Sequence, residues 1–367
     1  MKVVVDVSTV FISTLLVLFG MVLWCGPASG VTQYTVTKLG TLGGSFGVAN
    51  AINASGQVVG EAQTAGGESH AFLWEAGVMY DLGTLGGSES VAFGINDSGK
   101  VVGWAETGDW DPTFLDFYSH AFLWEGGPMQ DLDFGGYSSL ASDINESGHV
   151  VGSLGGYAYS WTSGMLGDLG GGYGQAWAVN ELGDVVGAAD TATWETHAFV
   201  WVDANDDGMP DPGETRDLGT LGGTSSFAYG INDSGQVVGE AQTAGGDTHA
   251  FLWQDDVMWD LGTVSGTGNT WALDVNSSGH VVGGGQTGAF LWMDGEMYDL
   301  NSLIAGDAGC FLAEARGIND AGQIVGFGAG GGSNFVAFLL TPVIAEPSVV
   351  GLVGLAFLVV VRRPRRR

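Results

Sequence analysis

The twelve residues from Asp203 to Glu214, DANDDGMPDPGE, put oxygen donors where a calcium ion needs them. Asp203, Asn205 and Asp207 stand at positions one, three and five, Gly208 at six, the Met209 carbonyl at seven, Asp211 at nine and Glu214 at twelve. Calcium takes about six to eight oxygen ligands, and this spacing wraps them around one point while the glycine permits the sharp turn. The chemistry is the holding of one Ca2+ ion, with no reaction implied. Phe199 to Val202 and Arg216 to Leu218 read as strands, so the loop is expected on a hairpin and not between helices. An acidic, solvated loop is the alternative.

A second stretch carries binding chemistry. The insertion from Trp104 to Ser119, WAETGDWDPTFLDFYS, brings Trp104, Trp110, Phe114, Phe117 and Tyr118 among several carboxylates. Aromatic faces beside acids suit sugar stacking and hydrogen bonding to hydroxyls, whereas packing of the rings on their own unit is the bland reading. His70, His120, His197 and His249 recur in one motif, but equivalent positions of successive repeats lie too far apart to ligate one ion. Structural hydrogen bonding is expected of them, and a surface polar role of His149 and His280. No GxSxG elbow, HExxH, phosphate loop or CxxC is present, and acids recur once per repeat as turn and cap residues do. A non-catalytic protein is expected. The alternative is a glycan-active enzyme, hydrolase or lyase, using carboxylates at the mouth of the fold.

These residues need a scaffold, and the scaffold repeats. The string HAFLW or a relative of it returns at His70, His120, Tyr157, His197, His249 and Gly288, with a frayed copy from Val336. Turn asparagines recur at Asn53, Asn96, Asn145, Asn180, Asn232, Asn276 and Asn319, spaced by 43, 49, 35, 52, 44 and 43 residues. In VAFGINDSGKVVG, Val91 to Gly103, an apolar run meets Asn, small polar residues and Gly, then Val-Val. That predicts a tight hairpin with Gly99 as its left-handed residue. HAFLW, apolar almost throughout, predicts a third strand covered on both faces, and segments such as Gly77 to Gly83 a fourth. Trp74, Trp124, Trp161, Trp201, Trp253 and Trp292 share one repeat position and are expected in the core.

Four strands in about 40 to 50 residues is the content of a propeller blade. An open β-solenoid is the rival. The array opens at Tyr34 on a fourth strand that no preceding unit owns, and ends at Pro342 after a third strand. A ring uses both fragments and leaves no exposed edge. The expected fold is therefore all-β, a seven-bladed β-propeller of about 43-residue repeats spanning 31–343 and closed by the N-terminal strand.

Composition sets the partners. The chain has 367 residues, 45% of them hydrophobic and 65 of them Gly, enough for a large core cut by many turns. Between the ends only Lys38, Lys100, Arg216 and Arg316 stand against 39 acids, a formal charge of −35. Nucleic acid and anionic membranes are poor partners for such a body, and divalent cations better ones. Residues 1–30 read as a secretory signal peptide: Lys2, an apolar run from Val10 to Trp24, and Ala28-Ser29-Gly30 before a cleavage point. A retained anchor is the alternative. At the other end Ala345-Glu346-Pro347-Ser348 precedes the apolar run Val349 to Val361 and then RRPRRR. Membrane contact is expected only transiently, through these two segments.

Two resemblances attach to these residues. Residues 344–367 resemble the PEP-CTERM sorting signal of exported bacterial proteins, with Ala345 in place of the first Pro. This implies processing near Glu346 and Pro347 by an exosortase-type enzyme, in bacteria that make extracellular polysaccharide. The HAF tripeptides, the GINDSG turns and the DLGTLGG stretches at Asp81 and Asp217 resemble the HAF family of extracellular bacterial repeats. This implies export and a repeated β architecture, with no catalytic residues. Tyr157, Gly288 and Val336 depart from the tripeptide. Together these readings predict a structural or binding module, calcium-stabilised, at the cell surface or in extracellular polysaccharide.

Overall fold

The computed structural model describes residues 32–111, 116–132, 138–205, 207–211, 213–330 and 334–343, with backbone alone at 110–111 and 116–117. The segments 1–30 and 344–367, expected to be a signal peptide and a sorting signal, lie outside these residues. Within them the chain is all-β, broken only by a short 3-10 turn at Leu300–Leu303.

Each repeat folds as a four-stranded antiparallel meander. The first is Gly43–Ile52, Val58–Thr64, Ser69–Glu75 and Val78–Asp81. Four further sheets of this kind follow, beginning at Gly86, Ser139, Gly170 and Gly222. The last two, beginning at Thr270 and Phe311, join into one eight-stranded sheet through a single bridge between Gly284 and Glu314. The missing fourth strand of the final meander is supplied from the other end of the chain: Tyr34–Lys38 pairs antiparallel with Phe335–Pro342, in register from Tyr34 with Pro342 to Lys38 with Phe338.

Local chemistry explains the unit. In the first hairpin of the second sheet, the Gly99 N–H donates to the Asn96 carbonyl at 3.0 Å, and Gly99 adopts φ 78°, where a side chain would be strained. The third and fourth strands turn on two consecutive left-handed residues, Ala76-Gly77, Asp255-Asp256 or Asp294-Gly295, the geometry that matches strand twist in two-residue hairpins.

The core lies between sheets. Val59, Ala71 and Leu73 of the first sheet meet Ala92, Val101 and Phe122 of the second, and the same arrangement recurs between each sheet and the next. It recurs also between last and first, where Val325, Ala337 and Leu339 pack on Ala49, Val58 and Phe72. The anchors are the HAF phenylalanines, since Phe72, Phe122, Phe199, Phe251, Phe290 and Phe338 are all fully buried. The tryptophan two places on is less enclosed than its position implied. Trp74 and Trp201 are buried, but Trp124, Trp161, Trp253 and Trp292 are only half-buried, because the end of the third strand reaches the rim of the sheet stack. There Trp161 Nε1 donates to the Leu132 carbonyl and Arg216 lies over the Trp253 ring at 5.1 Å.

The turn asparagines couple neighbouring sheets. Each Oδ1 accepts a local N–H, as Asn53 does from Gln57 at 2.9 Å. Each Nδ2 reaches the carbonyl of the next asparagine: Asn53 to Asn96, Asn96 to Asn145, Asn145 to Asn180, Asn180 to Asn232, Asn232 to Asn276, Asn276 to Asn319, and Asn319 back to Asn53 at 3.1 Å. The seven side chains are buried, so each bond satisfies groups that would otherwise be stranded from water.

Candidate functional site

One irregularity is repeated in every unit. The first strand slips register three residues before the turn asparagine, between Ala49 and Ala51, Ala92 and Gly94, Ala141 and Asp143, Ala176 and Ala178, Ala228 and Gly230, Ala272 and Asp274, and Ala315 and Gly317. The residue skipped each time is a β-bulge, a device that takes a residue out of the ladder and re-aims its side chain. The seven bulged residues are Asn50, Phe93, Ser142, Trp177, Tyr229, Leu273 and Arg316. All seven line one central cavity of about 400 Å3. The preceding residue is a fully buried Ala in every unit; the bulged residue is different in every unit.

The cavity wall is therefore individually furnished. Trp177 and Tyr229 form an aromatic side, their ring centroids 4.9 Å apart and tilted by 55°, with Phe227 behind both. Asp143, from the repeat before Trp177, and Asp274, from the repeat after Tyr229, line the same cavity. Asp143 accepts the Ile144 and Val179 N–H groups at 2.8 and 3.0 Å, and Asp274 those of Val275 and Ile318 at 2.8 Å each, so each carboxylate ties its own sheet to the next. Burial pushes both carboxyls up to about 6. Gly94 stands against Asp143, where an added Cβ would fall 2.9 Å from the Asp143 Cα. On the far side Arg316 donates to Glu314 at 2.6 Å and to Asn50 at 2.7 Å, and lies over the Phe327 ring. Tyr229 donates to Glu240 at 3.0 Å, and the Ser142 hydroxyl oxygen is buried with no partner among the described residues.

The raised carboxyls set a pH dependence. Their folded values lie above the unfolded reference of 3.8, so the stabilising contribution of protonation is complete below that reference and lost as pH rises through about 6. Roughly 2 to 3 kcal/mol is at stake for each group. In denaturant melts the wild type is expected to gain more stability between about pH 7 and pH 4.5 than the Asp143→Asn/Asp274→Asn variant. Equal gains would refute this assignment.

A cavity adjoining this one is acidic. The residue after each turn asparagine includes Asp97, Glu146, Glu181, Asp233 and Asp320 around a cavity of about 240 Å3. These carboxylates accept N–H groups of the preceding turn: Asp97 from Ala54 at 2.7 Å, Glu146 from Asp97, Glu181 from Glu146 at 3.1 Å, Asp233 from Glu181 at 2.9 Å, and Asp320 from Ser277 at 2.9 Å. They are turn caps extended across the sheet boundary.

The remaining expected residues fall elsewhere. The HAF histidines each meet a carboxylate of their own unit through Nδ1: His70 with Asp81, His120 with Asp131, His197 with Asp217 and His249 with Asp260, at 2.8 to 2.9 Å. Asp81, Asp217 and Asp260 also accept the N–H two residues on, which pins the end of the fourth strand to the third. His149 is buried, not superficial, because Nε2 bonds the buried Ser160 hydroxyl at 2.7 Å; burial lowers its pKa. The described parts of the Trp104–Ser119 insertion belong to two paired strands, Val101–Asp111 and Asp116–Trp124. The side chains of Trp110, Phe114 and Phe117 lie outside the described residues. Trp104 and Tyr118 are half-buried, Tyr118 beside the His120 ring, and neither lines the central cavity.

The acidic loop sits on the hairpin between Thr196–Trp201 and Thr215–Gly219, as its flanks implied. Gly208 adopts φ 72° and donates to Asp203 at 2.7 Å, and Asn205 reaches the Asp207 and Asp211 carboxylates at 3.2 and 2.9 Å. Glu214 is buried, accepting the Ala204 and Asp211 N–H groups at 3.1 and 2.8 Å. The Met209 side chain is exposed, leaving only its carbonyl as a candidate donor. As they stand, no three His, Cys, Asp or Glu side chains among the described residues close to metal-ligand geometry. The donor types are those that suit a hard cation.

No curated protein matches the chain. Residues 155–334, from the third sheet to the edge of the last strand, match the DUF3466 family, described as a protein of unknown function.

Proposed function

We propose that the chain is an exported, non-catalytic β-propeller of seven blades that acts as a binding module, with the central cavity as its ligand site. The observation that carries this reading is the set of seven bulges, which deliver seven unlike side chains into one cavity while the alanine beside each stays the same. A scaffold position repeats its residue; a position shaped to a ligand need not. Propeller closure is supported by the cycle of asparagine bonds, the packing of last sheet on first, and the borrowed N-terminal strand. The cell surface or an extracellular polysaccharide matrix is the proposed setting, resting on the HAF and PEP-CTERM resemblances, with an exosortase-type enzyme as the processing partner. Polysaccharide is the proposed ligand source. On a glycan array the wild type should bind and Trp177→Ala should lose binding at unchanged melting temperature. Loss instead on replacing Trp110 and Tyr118 would move the site to the extended hairpin.

A second reading is favoured by one observation: two carboxyls raised to about 6 in a single cavity suit acid–base work on a glycan. Both oxygens of each are already bonded to backbone N–H groups, which argues for a structural role. Turnover of a polysaccharide that stops in Asp143→Asn would establish the enzyme.

Calcium is proposed at Asp203, Asn205, Asp207, the Met209 carbonyl, Asp211 and Glu214. The ion would neutralise the clustered carboxylates and fix the hairpin of the fourth sheet. Adding calcium at about a hundred times its Kd should stabilise the fold by about 3 kcal/mol, seen as a rise in melting temperature that EDTA reverses and Asp203→Ala abolishes. An unchanged melting temperature under EDTA would remove the site.

A further inference from the structure

We infer, on the reading that the central cavity is a ligand site, that its ligand carries a protonated amine and that an amino-sugar unit of a polysaccharide is the group it takes. The cavity holds its aromatic side, Trp177 and Tyr229, between Asp143 and Asp274. Aromatic faces flanked by carboxylates attract a cation by ring quadrupole and charge together, and the gain is largest where water is excluded. A sugar ring lying on Trp177 would set its amine toward either acid, whose oxygens each accept one backbone N–H and keep a second lone pair for it. The same wall is unsuited to an anion. Among the described residues Arg316 is the one Lys or Arg side chain on the cavity, and its charge is neutralised by Glu314 at 2.6 Å. The repeat body adds its charge of −35 to the repulsion. At about 400 Å3 the cavity is at the lower end of the size of small-molecule sites, which fits one or two sugar units and not a longer chain laid lengthwise.

A cation placed between carboxyls that burial holds near 6 favours their charged form, so binding releases protons and weakens as pH falls through that value. The other groups facing them are Glu181 toward Asp143, Asp320 toward Asp274, and Glu314 with Arg316 and Glu240 around Tyr229. Of these only Arg316 opposes the cation.

Isothermal titration of the full chain with a glucosamine trimer and with its fully N-acetylated counterpart tests the inference. The amine form should bind at least about tenfold tighter, a difference of about 1.4 kcal/mol, and should release protons in buffers of different ionisation enthalpy at about pH 6. Asp143→Asn and Asp274→Asn should each weaken the amine form and leave the acetylated one unchanged. The proton-release measurement needs no variant, so a misfolded variant would not leave the question open. Equal or tighter binding of the acetylated trimer, at a site sensitive to Trp177→Ala, would overturn the amine while leaving the cavity as the ligand site. Binding of neither trimer, or binding indifferent to Trp177→Ala, would overturn the cavity reading and the amine with it.

Discussion

Internal deletion of Gln33 to Lys38 is expected to abolish cooperative folding. The six residues contribute the whole edge of the last sheet, paired from Tyr34 with Pro342 to Lys38 with Phe338. Beyond the ladder, Gln33 accepts from Val343 at 2.7 Å and Tyr34 from Ala305 at 2.8 Å. The Tyr34 ring is buried among Leu300, Leu303, Leu312 and Leu340. Burying such a side chain contributes about 2 kcal/mol or more, and the ladder bonds about 1 kcal/mol each. The sum is on the order of 5 kcal/mol, comparable with the whole stability of an ordinary domain. The deletion also bares Phe335–Pro342 as an unpaired, largely apolar edge, which invites association. Circular dichroism should show a lost or broadened thermal transition and size exclusion should show aggregates. A synthetic Gln33 to Leu39 peptide should restore part of the transition. A deletion variant melting like the wild type would mean that the strand decorates the sheet without completing it.

The scaffold was legible because turn sterics and sheet packing act on single residues at fixed places. Asn96, Gly99 and Phe122 are each dictated locally, by a turn bond, a left-handed backbone and an inter-sheet void. The orphan strands at the two ends were legible for the same reason. The hairpin that carries the acidic loop was legible because the residues on either side of it read as strands. The central cavity was not. Its lining comes as two or three residues from each repeat, so Trp177 and Tyr229 are far apart in sequence and neither sits in an aromatic-rich stretch, whereas Trp104 to Ser119 does. The signal that would have found it is a contrast between repeats: Ala, then a residue of any type, then a small residue or Asp, then Ile or Val, then Asn. Read down the seven repeats, the second column alone runs through Asn, Phe, Ser, Trp, Tyr, Leu and Arg. The histidine partners were also recoverable, since His70, His120 and His249 each precede an Asp by eleven residues and His197 by twenty, the difference being the acidic loop. The asparagine cycle was not recoverable, because Nδ2 finds its acceptor only once the next sheet is in place.

Gly103→Ala is expected to cost at least about 3 kcal/mol, more than overpacking usually does. Gly103 lies opposite Ala92 on one side and Phe122 on the other. A Cβ there would fall 1.9 Å from the Val91 carbonyl oxygen and 2.9 Å from Phe122 Cε1. Both approaches are inside van der Waals contact, and the first involves backbone, which cannot swing aside without breaking the ladder. The HAF phenylalanine occupies the space a side chain would have filled: the ring covers the bare strand and is itself fully buried. Phe122→Ala should therefore be costly as well, by about 3 to 5 kcal/mol through the void it leaves. The double variant separates the two contacts. Removing the ring relieves only the 2.9 Å clash, so the pair should be less than additive by about 1 kcal/mol, with most of the Gly103→Ala cost remaining. Full additivity would mean that ring and glycine do not share space. An unchanged melting temperature in Gly103→Ala would mean that the Val91 carbonyl does not approach this strand, and the close packing that lets seven repeats converge on one cavity would have to be achieved in some other way.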